Sequence, residues 1–178
     1  MEILGKSDKV AGKLKEYIDE VQIGDKTLRE AQAAKVYFNE LMGKSFSRGN
    51  DDILLNSGLN YGYTIIRSYL ARLCVGYGLN SQLGIHHKNE YNRFNLVDDL
   101  IEPIRPIVDI MAYKLLDGEE IFTIEHRHEI VKILDHTIKY KNQKMYISNM
   151  LDDYVSQYSS YVEGKIDKII FPTIEDYR

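Results

Sequence analysis

Residues 53–78 read ILLNSGLNYGYTIIRSYLARLCVGYG, a proline-free run that is apolar over most of its length. A helix that is apolar on most faces belongs inside a bundle of others. The run therefore predicts a central helix over about residues 52–77, ended by Gly76 and Gly78. Asn56, Ser57, Gly58, Asn60 and Gly62 are unusual inside it. Gly and Asn each cost a helix roughly 0.5–1 kcal/mol relative to Ala. Their presence predicts close backbone contact, or buried hydrogen bonds that offset the cost.

Outward from this run the chain keeps a helical period. Before it lies a polar loop, KSFSRGNDD, and before that REAQAAKVYFNELMG, an alanine-rich helix that stops near Gly43. Thr27 and Glu30 fit a capping box at its start, and Gly24-Asp25 marks the turn that precedes it. Val10, Leu14, Tyr17, Ile18 and Val21 give residues 1–22 one apolar face. After the central run comes the polar connection 84–95, with Asn95 as the expected N-cap. A helix over about residues 96–116 follows, interrupted at Pro103 and Pro106. Thr123 opens a further helix reaching to about Tyr140. YKNQKM reads as a polar turn or short ribbon, and YISNMLDDYVSQYSSYVEG as a last helix. The expected fold is all-α, a single domain of about six helices over residues 1–178.

The 178 residues are 44 % hydrophobic, enough for a sizeable core. A net charge of −4 and a pI near 5.7 give no general footprint for nucleic acid, so any such role needs a local basic face. One cysteine, Cys74, excludes a disulfide framework within the chain and reads as a small buried hydrophobe. No apolar run approaches the ~20 residues of a membrane span. The first ten residues lack the apolar core of a signal peptide. A soluble, cytoplasmic protein is expected.

Candidate ligands gather in LGIHHKNEYNRFNLVDDLIEPIRP, residues 83–106. Asp99 and Glu102 are three apart, Asp98 and Glu102 four apart. On a helix either pair shares a face, where like charges repel unless a cation stands between them. His86 and His87 precede them. Imidazole with carboxylates is a donor set for manganese or magnesium. Plainer explanations exist: the macrodipole favours acids in a first helical turn by roughly 0.3–1 kcal/mol each. Histidines in polar loops usually face water, and the capping box alone accounts for Glu30. Spacing leaves Asp98 and Asp99 equally placed.

The succession EAQAAKVYFNELMG, LLNSGLNYGYTIIRSYLARL, GLNSQLGIHH and FNLVDDLIEPIRPIVD resembles the CRISPR-associated integrase family, the metal-dependent endonuclease/integrases of spacer acquisition. LGIHHKNEYNRFNLVDDLIEPIRP and MLDDYVSQYSSYVEG look most like the branch found with type II CRISPR systems. The resemblance implies metal ligation by the glutamate of the EAxAAxxYF helix, the histidine closing LGxxH and the acid of DLxEP. Here these are Glu30, His87 and Glu102, with Asp99 at a further acidic position that binds metal directly or supports a ligand. It implies Mg2+ or Mn2+ as cofactor. The implied reaction is attack of a prespacer 3′-hydroxyl on a phosphodiester of the CRISPR repeat, without an enzyme nucleophile. Lys88, Arg93 and Arg105, with Arg29 beside Glu30, are the basic residues placed to hold DNA phosphates; Arg105 could simply pair with an acid, and Lys88 and Arg93 are favoured. The implied partners are DNA, a small CRISPR-associated partner subunit and, in the full-length family, a second copy. Members usually begin with a β-rich domain of roughly a hundred residues that has no counterpart here. The chain is thus expected to be the helical catalytic half, a fragment or an N-terminally shortened protein. The competing expectation is a catalytically silent helical module that binds a protein partner through its tyrosine-rich last helix.

Overall fold

A computed structural model describes residues 8–20, 28–50 and 53–173. The chain divides into two compact units, Met1–Asn56 and Ser57–Arg178. It is mainly helical, as the periodicity predicts, with one two-stranded hairpin added.

In the first unit α1 (Asp8–Glu20) packs on α2 (Arg29–Met42). Leu28 precedes α2 in the left-handed region, φ 54°, and its own side chain makes no capping bond. Thr27, the expected cap, lies outside the described residues. Gly43 ends α2 as expected, at φ 93°, which a side chain would strain. Asn56 is buried here. Its amide donates to the carbonyls of Ser47 (2.8 Å) and Asn50 (2.7 Å) and accepts from Arg48 Nη1 at 3.0 Å. These bonds offset the helix penalty of an asparagine, and they shape the loop that leads into α3 (Leu54–Gly76).

In the second unit α3 packs against α5 (Arg105–Leu116) through its glycines. A Cβ on Gly62 would stand 2.6 Å from Val108 Cγ1, and one on Gly58 would collide with Leu116 Cδ1. At both glycines a side chain of α5 fills the space that a Cβ would take. Ile66, Leu70 and Cys74 of α3 and Ile107, Val108 and Ala112 of α5 are all buried. The expected single kinked helix over 96–116 is in fact broken in two. α4 (Asn95–Leu100) is followed by a 3-10 turn, Glu102–Ile104, and then by α5. Pro103 and Pro106 each lack an N–H for the helical ladder. Both lie at helix starts, where that loss is harmless.

Thr123 caps α6 (Ile124–Val131): its hydroxyl accepts from the His126 N–H, and the His126 ring returns a bond to the Thr123 N–H. This helix stops at Val131, short of the expected Tyr140. A 3-10 turn, Lys132–Asp135, leads instead into β1 (Thr137–Tyr140), paired antiparallel with β2 (Gln143–Tyr146). Lys141 and Asn142, both at positive φ, form the two-residue turn that suits the twist of a hairpin. α7 (Ile147–Val162) closes the unit by burying Ile147, Met150, Leu151, Tyr154 and Val155. No helix among the described residues is long and apolar enough to cross a membrane.

Candidate metal centre

The polar connection between α3 and α4 is held by side-chain amides. Asn95, the expected N-cap, is instead the first residue of α4. It is buried and ties the loop together, donating to the carbonyls of Asn89 (2.9 Å) and Gln82 (3.1 Å) and accepting from the Asn89 N–H. Asn89 accepts from the Tyr91 N–H, Asn92 from the Phe94 N–H, and Ser81 donates to the Arg93 carbonyl. Backbone groups that no helix or strand satisfies thus find partners in asparagine and serine. The loop has a fixed shape without regular structure.

That shape converges on Asp99. One oxygen, Oδ2, accepts from the Ile85 and His86 N–H groups, the latter at 3.0 Å. The other, Oδ1, accepts from the His87 N–H at 3.1 Å and lies 2.6 Å from His87 Nδ1. Gly84 makes room for this: a Cβ there would meet Asp99 Oδ2 and Asn95 Cβ at 2.9 Å each and would collide with the His87 carbonyl. Burial pushes the Asp99 carboxyl up, yet bonds from the His87 ring and the three backbone N–H groups outweigh it. The carboxyl sits below its ordinary range. It is an anion at neutral pH, so His87 Nδ1 carries the proton and donates it. In that tautomer the lone pair is on Nε2, which takes no hydrogen bond among the described residues. A carboxylate behind the far nitrogen is the arrangement that orients a metal-binding histidine. Both Asp99 oxygens already accept two bonds each, one of them from the His87 ring.

Asp98, which spacing could not separate from Asp99, has a different partner. Arg67 on α3 grips it with Nε (2.6 Å) and Nη2 (3.0 Å), and Asn92 adds a bond at 2.7 Å. The Arg67 guanidinium also stacks on Phe94, 4.7 Å from the ring centre. Burial raises the Asp98 carboxyl, but the bonds from Arg67 and Asn92 and the Arg67 charge hold it below the usual value. Asp98 therefore locks α4 to α3. No local signal in the sequence marks Arg67 and Asp98, separated by 31 positions, as partners.

Glu102 opens the 3-10 turn and is exposed. Its Oε1 accepts from Arg105 Nε at 3.0 Å, while Oε2 takes no bond among the described residues. Lys88 and Arg93 are exposed, and their side chains form no ion pair among the described residues. His86 is exposed, edge-on to His87. Glu30, in the first unit, is an exposed residue in the first turn of α2. Within the described residues of the second unit the structure brings His87 and Asp99 together, but no three His, Cys, Asp or Glu side chains form a group that would hold a metal ion. The chemistry of the donors nevertheless fits a divalent ion. An imidazole nitrogen with its tautomer set and a carboxylate oxygen, both without other partners among the described residues, are the ligand types that manganese or magnesium accepts.

Residues 7–149 match the sequence profile of the family described as "CRISPR associated protein Cas1". A CRISPR-associated endonuclease Cas1 from Neisseria meningitidis serogroup C (strain 8013) is 36% identical over 162 residues, which make up 89% of this chain and 53% of that protein. A second, from Francisella tularensis subsp. novicida, is 35% identical over 96 residues, 48% of this chain and 30% of its own. The chain thus spans about half the length of the Neisseria relative. Two solved structures share the fold. One is a Cas1 protein from Thermotoga maritima, with TM-score 0.75 and 15% identity over 95% of this chain and 62% of that one. The other is a casposase bound to integration product, with TM-score 0.69 and 22% identity over 88% of this chain and 55% of that one.

Proposed function

The chain belongs to the Cas1 family, and on that premise we propose that it is the helical catalytic part of a divalent-metal-dependent DNA endonuclease/integrase. Its substrates in this reading are prespacer DNA and the CRISPR repeat. It works with a small CRISPR-associated partner subunit and as a homodimer in the longer protein, in the cytoplasm. The observation that carries the reading is the Asp99–His87 pair, which leaves an oriented Nε2 lone pair on the same ordered stretch as Glu102. The casposase's bound integration product supports DNA joining as the reaction.

His87 through Nε2 and Glu102 through a carboxylate oxygen would hold the metal. Asp99 keeps the imidazole in the tautomer that can ligate. Mg2+ or Mn2+, when bound, supplies Lewis-acid polarisation of the phosphate and offsets the charge of the leaving oxygen. The DNA 3′-hydroxyl is itself the nucleophile. The new O–P bond forms as the old one breaks in line, and the displaced strand leaves with a 3′-hydroxyl. Lys88 and Arg93, exposed and without ion pairs among the described residues, hold strand phosphates. Of the tyrosines of the last helical stretch, on which the competing interaction-module reading rests, Tyr154 is buried, Tyr158 half-buried, and Tyr146 and Tyr161 exposed.

The test is strand transfer on branched repeat DNA, with and without the small partner subunit. Joining should require Mn2+ or Mg2+, and it should fall by about 100-fold or more in His87→Ala and Glu102→Gln. Joining that persists undiminished in EDTA refutes the proposal.

A further inference from the structure

We propose that Arg105 is a further phosphate-binding residue of the DNA site, its terminal amino groups gripping a strand phosphate beside Glu102. This rests on the DNA-joining reading above and adds to it a residue that the sequence offers as a candidate but does not favour over Lys88 and Arg93.

Two features set Arg105 apart from an ordinary surface arginine. First, it is only partly engaged. Nε binds Glu102, but neither Nη1 nor Nη2 takes a hydrogen bond among the described residues, and the side chain is 37% exposed. Arg67 gives the contrast: its Nε and Nη2 both close on Asp98, and the pair is structural. Second, Arg105 is held in place. Its guanidinium lies 4.8 Å from the centre of the Tyr63 ring. That ring is 8% exposed, and its hydroxyl donates to the carboxylate of Asp109, itself 2% exposed. Donation to an anion enriches the ring in electron density, which strengthens its attraction for a cation. The buried carboxylate thus acts through Tyr63 to hold the guanidinium over the ring.

A planar fork with two free amino groups matches two oxygens of a phosphate, and pre-organisation reduces the entropy lost on binding. The ion pair with Glu102 puts this fork one turn from a proposed metal ligand. In a chain of net charge −4, a fixed cation at that point offers DNA phosphate a local partner that the overall charge does not. While paired, Arg105 also competes with any divalent ion for Glu102.

The test compares wild type, Arg105→Gln and Arg105→Lys for binding of fluorescent branched DNA in EDTA at several salt concentrations, with Mn2+ affinity measured separately. Arg105→Gln should weaken DNA binding about tenfold and lower the slope of log affinity against log salt by about one. Arg105→Lys should restore the slope but not the full affinity, because an ammonium lacks the fork. Mn2+ affinity should hold or rise in Arg105→Gln, since Glu102 is released. An Arg105→Gln variant with wild-type affinity and slope overturns the proposal. So does a loss of DNA and Mn2+ binding together with a lowered melting temperature in both variants, which would make Arg105 merely structural. A wild type that binds Mn2+ but no DNA at low salt overturns the DNA-joining reading itself.

Discussion

Asp99→Asn removes the anion on which the 85–87 loop converges, while keeping the side chain's size. Four donors lose their charged acceptor: the ring of His87 and the N–H groups of Ile85, His86 and His87. A hydrogen bond to a charged group contributes about 1.5–3 kcal/mol net. The Ile85 and His86 bonds lie at exposed positions, where water can replace the acceptor. The two His87 bonds are part-buried, and one amide oxygen can keep at most half of what the carboxylate accepts. The expected loss is about 2–3 kcal/mol, or roughly 5–10 °C in melting temperature for a chain of this size. The fold holds the Asp99 carboxyl below its ordinary value, about 3.9. Its contribution is therefore fully present above that range and is lost as pH falls through the folded value. Urea unfolding should show the variant well below wild type at pH 7, with the gap closing in acid. Amide exchange should show lost protection at residues 85–87. Equal stability at pH 7 with unchanged protection there would refute the role assigned to Asp99.

Other outcomes follow from the same geometry. Gly84→Ala forces a Cβ into the His87 carbonyl and against Asp99, so thermal unfolding should show a loss of more than about 2 kcal/mol. Asp98→Asn should lower stability in urea by breaking the Arg67 pair, yet leave Mn2+ affinity within about twofold, because the hydrogen bonds of Asp98 go to Arg67 and Asn92 and none goes to His87. Burial pushes the Cys74 thiol up to about 11, so a maleimide at pH 8 should label the chain only after denaturant is added. Rapid labelling of the native protein would contradict that burial.

The helical class was legible because the central run is apolar on most faces. The purpose of Gly58, Gly62 and Asn56 was legible because each carries a helix penalty that only close packing or buried bonds offset. The hairpin was half-visible as a polar turn. The early end of α6 was not, because Ile133 and Ile138 continue a plausible helical face while one lies in a 3-10 turn and the other in a strand. At the site, spacing could not separate Asp98 from Asp99, since both share a face with Glu102. Arg67 and the backbone of residues 85–87 separate them, through contacts 12 to 31 positions apart that no local pattern encodes. Asn95 misled for a related reason: asparagine is a good cap, but here its amide is needed by the loop.

The central claim is that His87 and Glu102 hold one divalent ion. The direct measurement is a Mn2+ titration followed by paramagnetic broadening of the histidine ring protons. The account predicts broadening of the His87 protons that flank Nε2, stronger than that of His86, reversed by excess Mg2+ and lost in Glu102→Gln. His87 signals that stay sharp at millimolar Mn2+, or that broaden equally in Glu102→Gln, would contradict it.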